Sequence, residues 1–185
     1  MESETRKVFK IIFAWQDDRE EKWLEQQAAA GWHLQEVAPF VYTFRRGELA
    51  RVIYRLDYKL TIDKDYQEYR EIFQSCGWEL VTTMANWHYY RVSADNEAVP
   101  EIYSNNHSRA QKYRRLLTVI IPEFVIFFVV LSPTKNRSLF TAGSGWLGTV
   151  YGIAGILQTI ILLFFVYAIV KIVLKIRKLE SEPRE

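Results

Sequence analysis

The sequence predicts an α+β domain of duplicated βαββ units forming an antiparallel sheet with two helices on one face, followed by a two-helix transmembrane hairpin. Three observations carry that prediction. The first half resembles itself at a shift of 46 residues, hydrophobic periodicity alternates between strand and helix inside each copy, and two long apolar segments lie towards the C-terminus.

The shift places Gly31-Trp32 on Gly77-Trp78, Leu34 on Leu80 and Arg45 on Arg91. In the first copy, Val8 to Trp15 is rich in strand formers, and Asp17-Asp18 offers an N-cap with Glu20 and Glu21 following. Trp23, Leu24, Gln27 and Ala28 make a helical stripe that Gly31 stops, since glycine takes the left-handed conformation of a helix end without a Cβ clash. WHLQEVAP and VYTFRRG follow as strands joined at Pro39-Phe40. In the second copy Arg51 to Tyr58 is a strand. Asp63 or Asp65 caps a helix bearing Tyr66, Tyr69, Ile72, Phe73 and Cys76, and Gly77 ends it before the strands WELVTTMA and WHYYRVS. Packing the two units together opens a cleft between the repeats as a candidate binding place.

Beyond this domain (1–95) and a linker (96–112), the apolar run 116–131 holds about 16 residues, or roughly 24 Å of helix. That is short of a ~30 Å hydrocarbon core, so the first span takes in Tyr113 (113–131) or thins the bilayer. The second span, 146–170, carries no charge and is long enough to cross with tilt. An external loop (132–145) joins them and a basic tail (171–185) follows. Apolarity on every face over such a length rules against a buried soluble hairpin. Arg109, Lys112, Arg114 and Arg115 precede the spans and Lys171, Lys175, Arg177 and Lys178 follow them, against Lys135 and Arg137 between. Basic residues stay inside, so the expected location is the cell membrane, multi-pass, with both termini cytoplasmic. Tyr113, Trp146, Tyr151 and Tyr167 suit the interfaces.

Two features of the spans invite a role. Pro122-Glu123 puts a carboxylate inside the first span, either close to the interface marked by Arg115 or as a hydrogen-bonding contact to Gln158 or Thr159, with a proton or ion group as the sharper reading. Gly148, Gly152 and Gly155 form a small-residue stripe for close packing, against the first span or against a second copy in a homo-oligomer.

A chain of 185 residues, 49% hydrophobic and 25% charged, has room for one domain and an appendage. The net charge of +2 selects no partner. Cys76 is the only cysteine, so no intrachain disulfide forms and a reducing cytoplasm suits the domain. The Val8–Trp15 stretch is too short and too interrupted by Lys10 for a signal-peptide core, so export of the domain is not expected.

Trp15, Trp23, Trp32, Trp78 and Trp87 make the domain aromatic. Strand alternation puts Trp32, Leu34 and Glu36 on one face and His33, Gln35 and Val37 on the other, and likewise opposes Trp78, Leu80 and Thr82 to Glu79, Val81 and Thr83. The tryptophans are most simply core; the sharper reading is a pocket of Trp32 and Trp78 with Glu36 or Glu79 that holds an apolar cation by cation–π contact. His33, His88 and His107 lack zinc-ligand spacing and read as solvated or half-buried, and no metal or cofactor is expected. With no phosphate loop, dinucleotide fingerprint or hydrolase motif, no enzyme is expected either. Arg45, Arg46, Arg51, Arg55 and Arg91 read as solvated strand-edge charges diluted by Glu48 and Asp57, and nucleic acid is not an expected partner.

The run EEKWLEQQAAAGWHLQEVAPFVYTFRRGE, then VIYRLDY, YREIFQSCGWELV and NWHYYR, resembles the bacterial family catalogued as domain of unknown function 2812, from about Phe9 to Val92. The resemblance implies C-terminal membrane spans, a PadR-type transcriptional regulator as partner and a regulatory or envelope-stress setting, with no activity attached. The expectation is a membrane protein whose cytoplasmic domain binds a partner protein or small ligand in a regulatory or sensing role. The alternative is an accessory subunit of a membrane transporter or resistance system, packed through Glu123 and Gln158.

Overall fold

A computed structural model describes residues 4–94, 102–103, 106–130 and 146–181. The element order is β1 (Thr5–Phe9), a 3-10 turn (Ala14–Gln16), α1 (Asp17–Ala29), β2 (Trp32–Ala38), β3 (Val41–Arg46), β4 (Val52–Tyr58), α2 (Tyr66–Ser75), β5 (Glu79–Met84), β6 (Trp87–Ser93), α3 (Asn106–Val130) and α4 (Trp146–Ser181). The chain divides into one unit ending at Lys112 and a second beginning at Tyr113.

The first unit is α+β, with two three-stranded antiparallel sheets in the orders β1-β3-β2 and β4-β6-β5. The expected single sheet is therefore not formed. Edge strands β2 and β5 lie side by side without a ladder, and each carries a bulge, between Leu34 and Glu36 and between Leu80 and Thr82. A bulge leaves one residue unpaired and bends the strand, which spoils a flat edge for pairing. It also breaks the expected alternation, so that Leu34 and Val37 are both buried.

Backbone detail recurs at the same 46-residue spacing. Gly31 and Gly77 both take positive φ (80° and 85°), as do Phe40 and Asn86 (63° and 66°), and the bulges fall at equivalent places. Each helix ends in an amide donated three residues back, Gly31 N to Ala28 O (2.9 Å) and Gly77 N to Gln74 O (3.0 Å). The first strand departs from expectation: it starts earlier and stops at Phe9. Phe13 and Trp15 instead stack at 4.9 Å around the turn, where the Phe13 N–H donates to the Gln16 side chain.

Helix α1 packs on β2 and also on β4 of the other sheet. Leu24 and Ala28 are buried beneath it, and Trp23 meets Tyr42 and Phe44 edge-on. Its carboxylates also cover the open edge of β4: Glu21 accepts from Leu56 N (2.8 Å) and Glu25 from Tyr54 N (3.3 Å). Those amides would otherwise offer a pairing edge. Phe73, Trp78 and Tyr90 form a second core, with Phe73 and Tyr90 stacked at 4.4 Å and Ile53, Tyr69 and Ile102 packed on it. Ile72 and Cys76, expected on the buried stripe of α2, are exposed.

Residues 102–112, expected as part of a linker, belong to this unit where described. Tyr103 donates to Asp57 (2.5 Å), Arg109 pairs with Asp18 (2.6 Å) and Lys112 with Asp17 (2.6 Å).

In the second unit α3 continues through Pro122, and α4 runs 36 residues, roughly 54 Å. It does not stop at Val170: the basic residues up to Lys178 lie on the same helix. Phe124 meets Phe165 (5.5 Å), Lys175 lies over the Tyr113 ring (4.9 Å), and Arg114 pairs with Glu180. Among the described residues one stretch, Gly152–Ser181, is long and apolar enough to cross a membrane, and almost none of its most apolar part is buried. In α3 Arg114 and Arg115 directly precede the apolar run, and Glu123 interrupts it. The expected loop 132–145 lies outside the described residues.

Candidate functional site

A concavity of about 620 Å³ lies at the β2–β5 seam of the first unit. That size suits a small molecule. Its walls are equivalent residues of the two halves: His33, Gln35 and Arg45 from β2 and β3, and Glu79, Val81 and Arg91 from β5 and β6. Gln35 and Val81 are the unpaired bulge residues, which is why the seam opens there.

The equivalent pairs are not chemically equivalent. Glu79 and Arg91 sit opposite each other in the ladder and form a two-pronged ion pair at 2.8 and 2.9 Å, whose hydrogen bonds hold the guanidinium charge more firmly than usual. At the matching place in the other sheet, Arg45 faces His33. His33 turns away: its Nε2 hydrogen-bonds the Glu48 carbonyl (2.8 Å) while its ring packs on Gly47. Among the described residues Arg45 has no hydrogen bond or ion pair through its side chain. Arg46, also in the wall, donates to Ala30 O (2.9 Å) and stacks over Trp32.

Of the expected pocket residues, only Glu79 lines this cavity. Trp78 is buried in the α2 core. Trp32 is covered by Arg6 and Arg46, at 4.3 and 5.1 Å, so its π face already holds cations of the protein itself. Glu36 is exposed outside the cavity. Arg45, Arg46 and Arg91 lie on the central strands of their sheets, not on edges.

A second polar assembly, buried between the sheets and α1, went unread in the sequence. Glu20 accepts from both Tyr42 (2.7 Å, β3) and Tyr89 (2.8 Å, β6), tying the two sheets through one oxygen. Burial pushes its carboxyl pKa up, opposed by those two hydrogen bonds. Beside it Asp17 and Lys112 form an ion pair, Lys112 donates to Leu56 O (3.0 Å), and burial pushes Glu21 up to about 7. Asp57 accepts from Tyr69 (2.9 Å) and Tyr103. His88, expected to be at least half-solvated, is fully buried between Tyr66 (2.9 Å) and the Asn86 carbonyl (3.0 Å), and burial lowers its pKa. The expected caps are diverted to these tertiary uses: Gln16 is the N-cap of α1, and Asp65, at the N-cap of α2, bonds Lys59 at 2.7 Å. These contacts are all satisfied within the fold, so the assembly is structural cement and not an open site. No group of three His, Cys, Asp or Glu side chains among the described residues is placed to hold a metal ion.

In the second unit Glu123 is exposed and, among the described residues, makes no hydrogen bond or ion pair, so the expected contact to Gln158 or Thr159 is not made. Phe124, its neighbour, takes the contact with α4, while the Thr159 hydroxyl donates to Gly155 O (2.9 Å) and Gln158 Nε2 has no partner. A Cβ added at Gly152 or Gly155 would meet nothing within 4 Å, so those glycines of the stripe that Gly148 begins are not packed against α3.

The fold and site thus define an α+β domain with a polar seam cavity, joined to a long, exposed apolar helix. Residues 16–125 match the model of the family described as protein of unknown function (DUF2812), and the chain belongs to that family. The match extends past the domain into α3, so the start of the apolar region is part of the family's pattern. No curated protein and no solved structure matches the chain.

Proposed function

We propose that the protein is a bacterial, multi-pass membrane protein with a cytoplasmic binding domain and no catalytic role. Its two βαββ units are copies from a duplication, and the seam between them receives a small ligand or a segment of a partner protein in a regulatory or sensing role, with a PadR-type regulator as one such partner. The observation that carries this is the cavity itself, walled by equivalent residues of both halves. Duplication followed by divergence creates such a shared site and lets one wall keep charge that the other neutralises. Supporting the anchor are the exposed apolar surface of α4 and its antiparallel contacts with α3, which fit a hairpin returning both termini to the cytoplasm.

The open Gly152–Gly155 face favours a second reading, an accessory subunit or homo-oligomer that packs this stripe against another membrane helix. Co-purification in mild detergent separates the two. A stoichiometric soluble regulator, lost when Val81→Trp fills the cavity, supports the sensing role; a multispanning partner lost on Gly152→Leu but retained in Val81→Trp supports the accessory role.

A further inference from the structure

We infer that the seam cavity is an anion site that takes a phosphoryl group, with Arg45 as its open anchor and Glu79 as an internal competitor for Arg91. This rests on the seam being the binding place and adds the chemistry of what binds there.

Three arginines, Arg45, Arg46 and Arg91, line the cavity against a single acid, Glu79. Guanidinium groups grip carboxylate and phosphate oxygens through paired N–H donors, so an arginine-walled cavity selects an oxyanion over a cation. The apolar-cation pocket drawn from Trp32 and Trp78 has the opposite polarity to the cavity that forms.

Arg45 and Arg91 occupy the same ladder position in their sheets, but Arg91 has a carboxylate opposite and Arg45 has a histidine that is hydrogen-bonded elsewhere. Arg45 is exposed and faces a histidine that is engaged elsewhere, so its guanidinium is available to a ligand anion, whereas an acid at position 33 would neutralise it. The Glu79 carboxylate shows the geometry an oxyanion takes in this cavity, two oxygens on one guanidinium at 2.8 and 2.9 Å. Glu79 is well exposed, and an exposed ion pair is held weakly, so a ligand of higher charge displaces it. The cavity volume exceeds what one carboxylate fills, and a phosphoryl group offers three oxygens and about two charges to the arginines.

A phosphoryl group reaches a membrane-anchored domain from a soluble metabolite or from a lipid headgroup, and the test separates these. The full chain, purified in a neutral maltoside detergent, is titrated calorimetrically with inorganic pyrophosphate, dihexanoyl phosphatidic acid and dihexanoyl phosphatidylcholine. Tighter binding of pyrophosphate points to a soluble ligand, and tighter binding of phosphatidic acid to a headgroup; either supports the site if Arg45→Ala weakens it at least tenfold and Glu79→Gln tightens it severalfold. Arg51→Ala, an exposed arginine outside the cavity, should change affinity less than twofold. The inference is overturned if neither phosphoryl probe binds, or if Arg51→Ala weakens binding as much as Arg45→Ala. If no anion binds while Val81→Trp still abolishes partner capture, the seam remains the binding place and only its anion chemistry fails.

Discussion

Lys112 Nζ lies 2.6 Å from Asp17 Oδ2 with both side chains shut away from solvent, and the two residues are separated by nearly the whole of the first unit. The pair joins the start of α1 to the first turns of α3, and a third contact, Lys112 to Leu56 O, anchors it on β4.

Removing one charge of a buried pair leaves the other unpaired, at a cost of roughly 3–5 kcal/mol. Lys112→Met should destabilise the first unit by that order in urea unfolding followed by tryptophan fluorescence. Combining it with Asp17→Asn should restore part of the loss, because the double variant leaves no lone charge. Additive losses would mean that the two side chains do not act as a pair.

Stability should fall as pH rises towards neutrality. Burial, opposed by Lys112, holds Glu21 at about 7 against 4.5 in the unfolded chain. The folded state therefore keeps a proton that the unfolded state has released, and stability declines between those two values by about 3 kcal/mol, at ~1.4 kcal/mol per pKa unit. Glu20 shifts in the same direction. Glu21→Gln should flatten the profile, matching the parent near pH 4 and exceeding it at pH 8; an unchanged slope between pH 4.5 and 7 would remove Glu21 from the account.

Glu20 joins β3 to β6 through one oxygen that accepts from Tyr42 and Tyr89. Hydrogen bonds to a charged group are worth roughly 1.5–3 kcal/mol, so Tyr42→Phe and Tyr89→Phe should each cost that order. The double variant should depart from additivity, since it strands a buried carboxyl with neither donor.

Gly31 and Gly77 share a left-handed backbone but differ in surroundings. A Cβ at Gly31 would sit 3.0 Å from the Gly47 carbonyl oxygen, whereas at Gly77 it meets nothing within 4 Å. Gly77→Ala should cost about 1–2 kcal/mol from conformation alone, and Gly31→Ala measurably more.

Those glycines explain how much was legible. A helix stop needs a residue that tolerates positive φ, so the Gly-Trp pairs marked the ends of α1 and α2, and strands β2 to β6 fell close to where period-two alternation put them. The bulges at Gln35 and Val81 were hidden because an inserted residue leaves the residue types of a strand unchanged while reversing their faces downstream. With the faces reversed beyond Gln35, Val37 joins Leu34 in the core. Asp17, Glu20 and Glu21 looked like ordinary first-turn acids, and their partners Lys112, Tyr42 and Tyr89 are too distant in sequence for any local pattern to reveal. The one available signal was the density of acids on the face of α1 that also carries Leu24, which a solvated face would not need.

Cys76 permits the most direct test of a cytoplasmic domain held on a membrane anchor, because it is exposed and is the only cysteine. A membrane-impermeant maleimide is applied to intact bacterial protoplasts expressing the full chain and to washed, inverted membrane vesicles from the same cells. A cytoplasmic, membrane-held domain gives no labelling in protoplasts and full labelling in the vesicles. Labelling in protoplasts would place the domain outside, and absence of the protein from the washed vesicles would contradict the anchor.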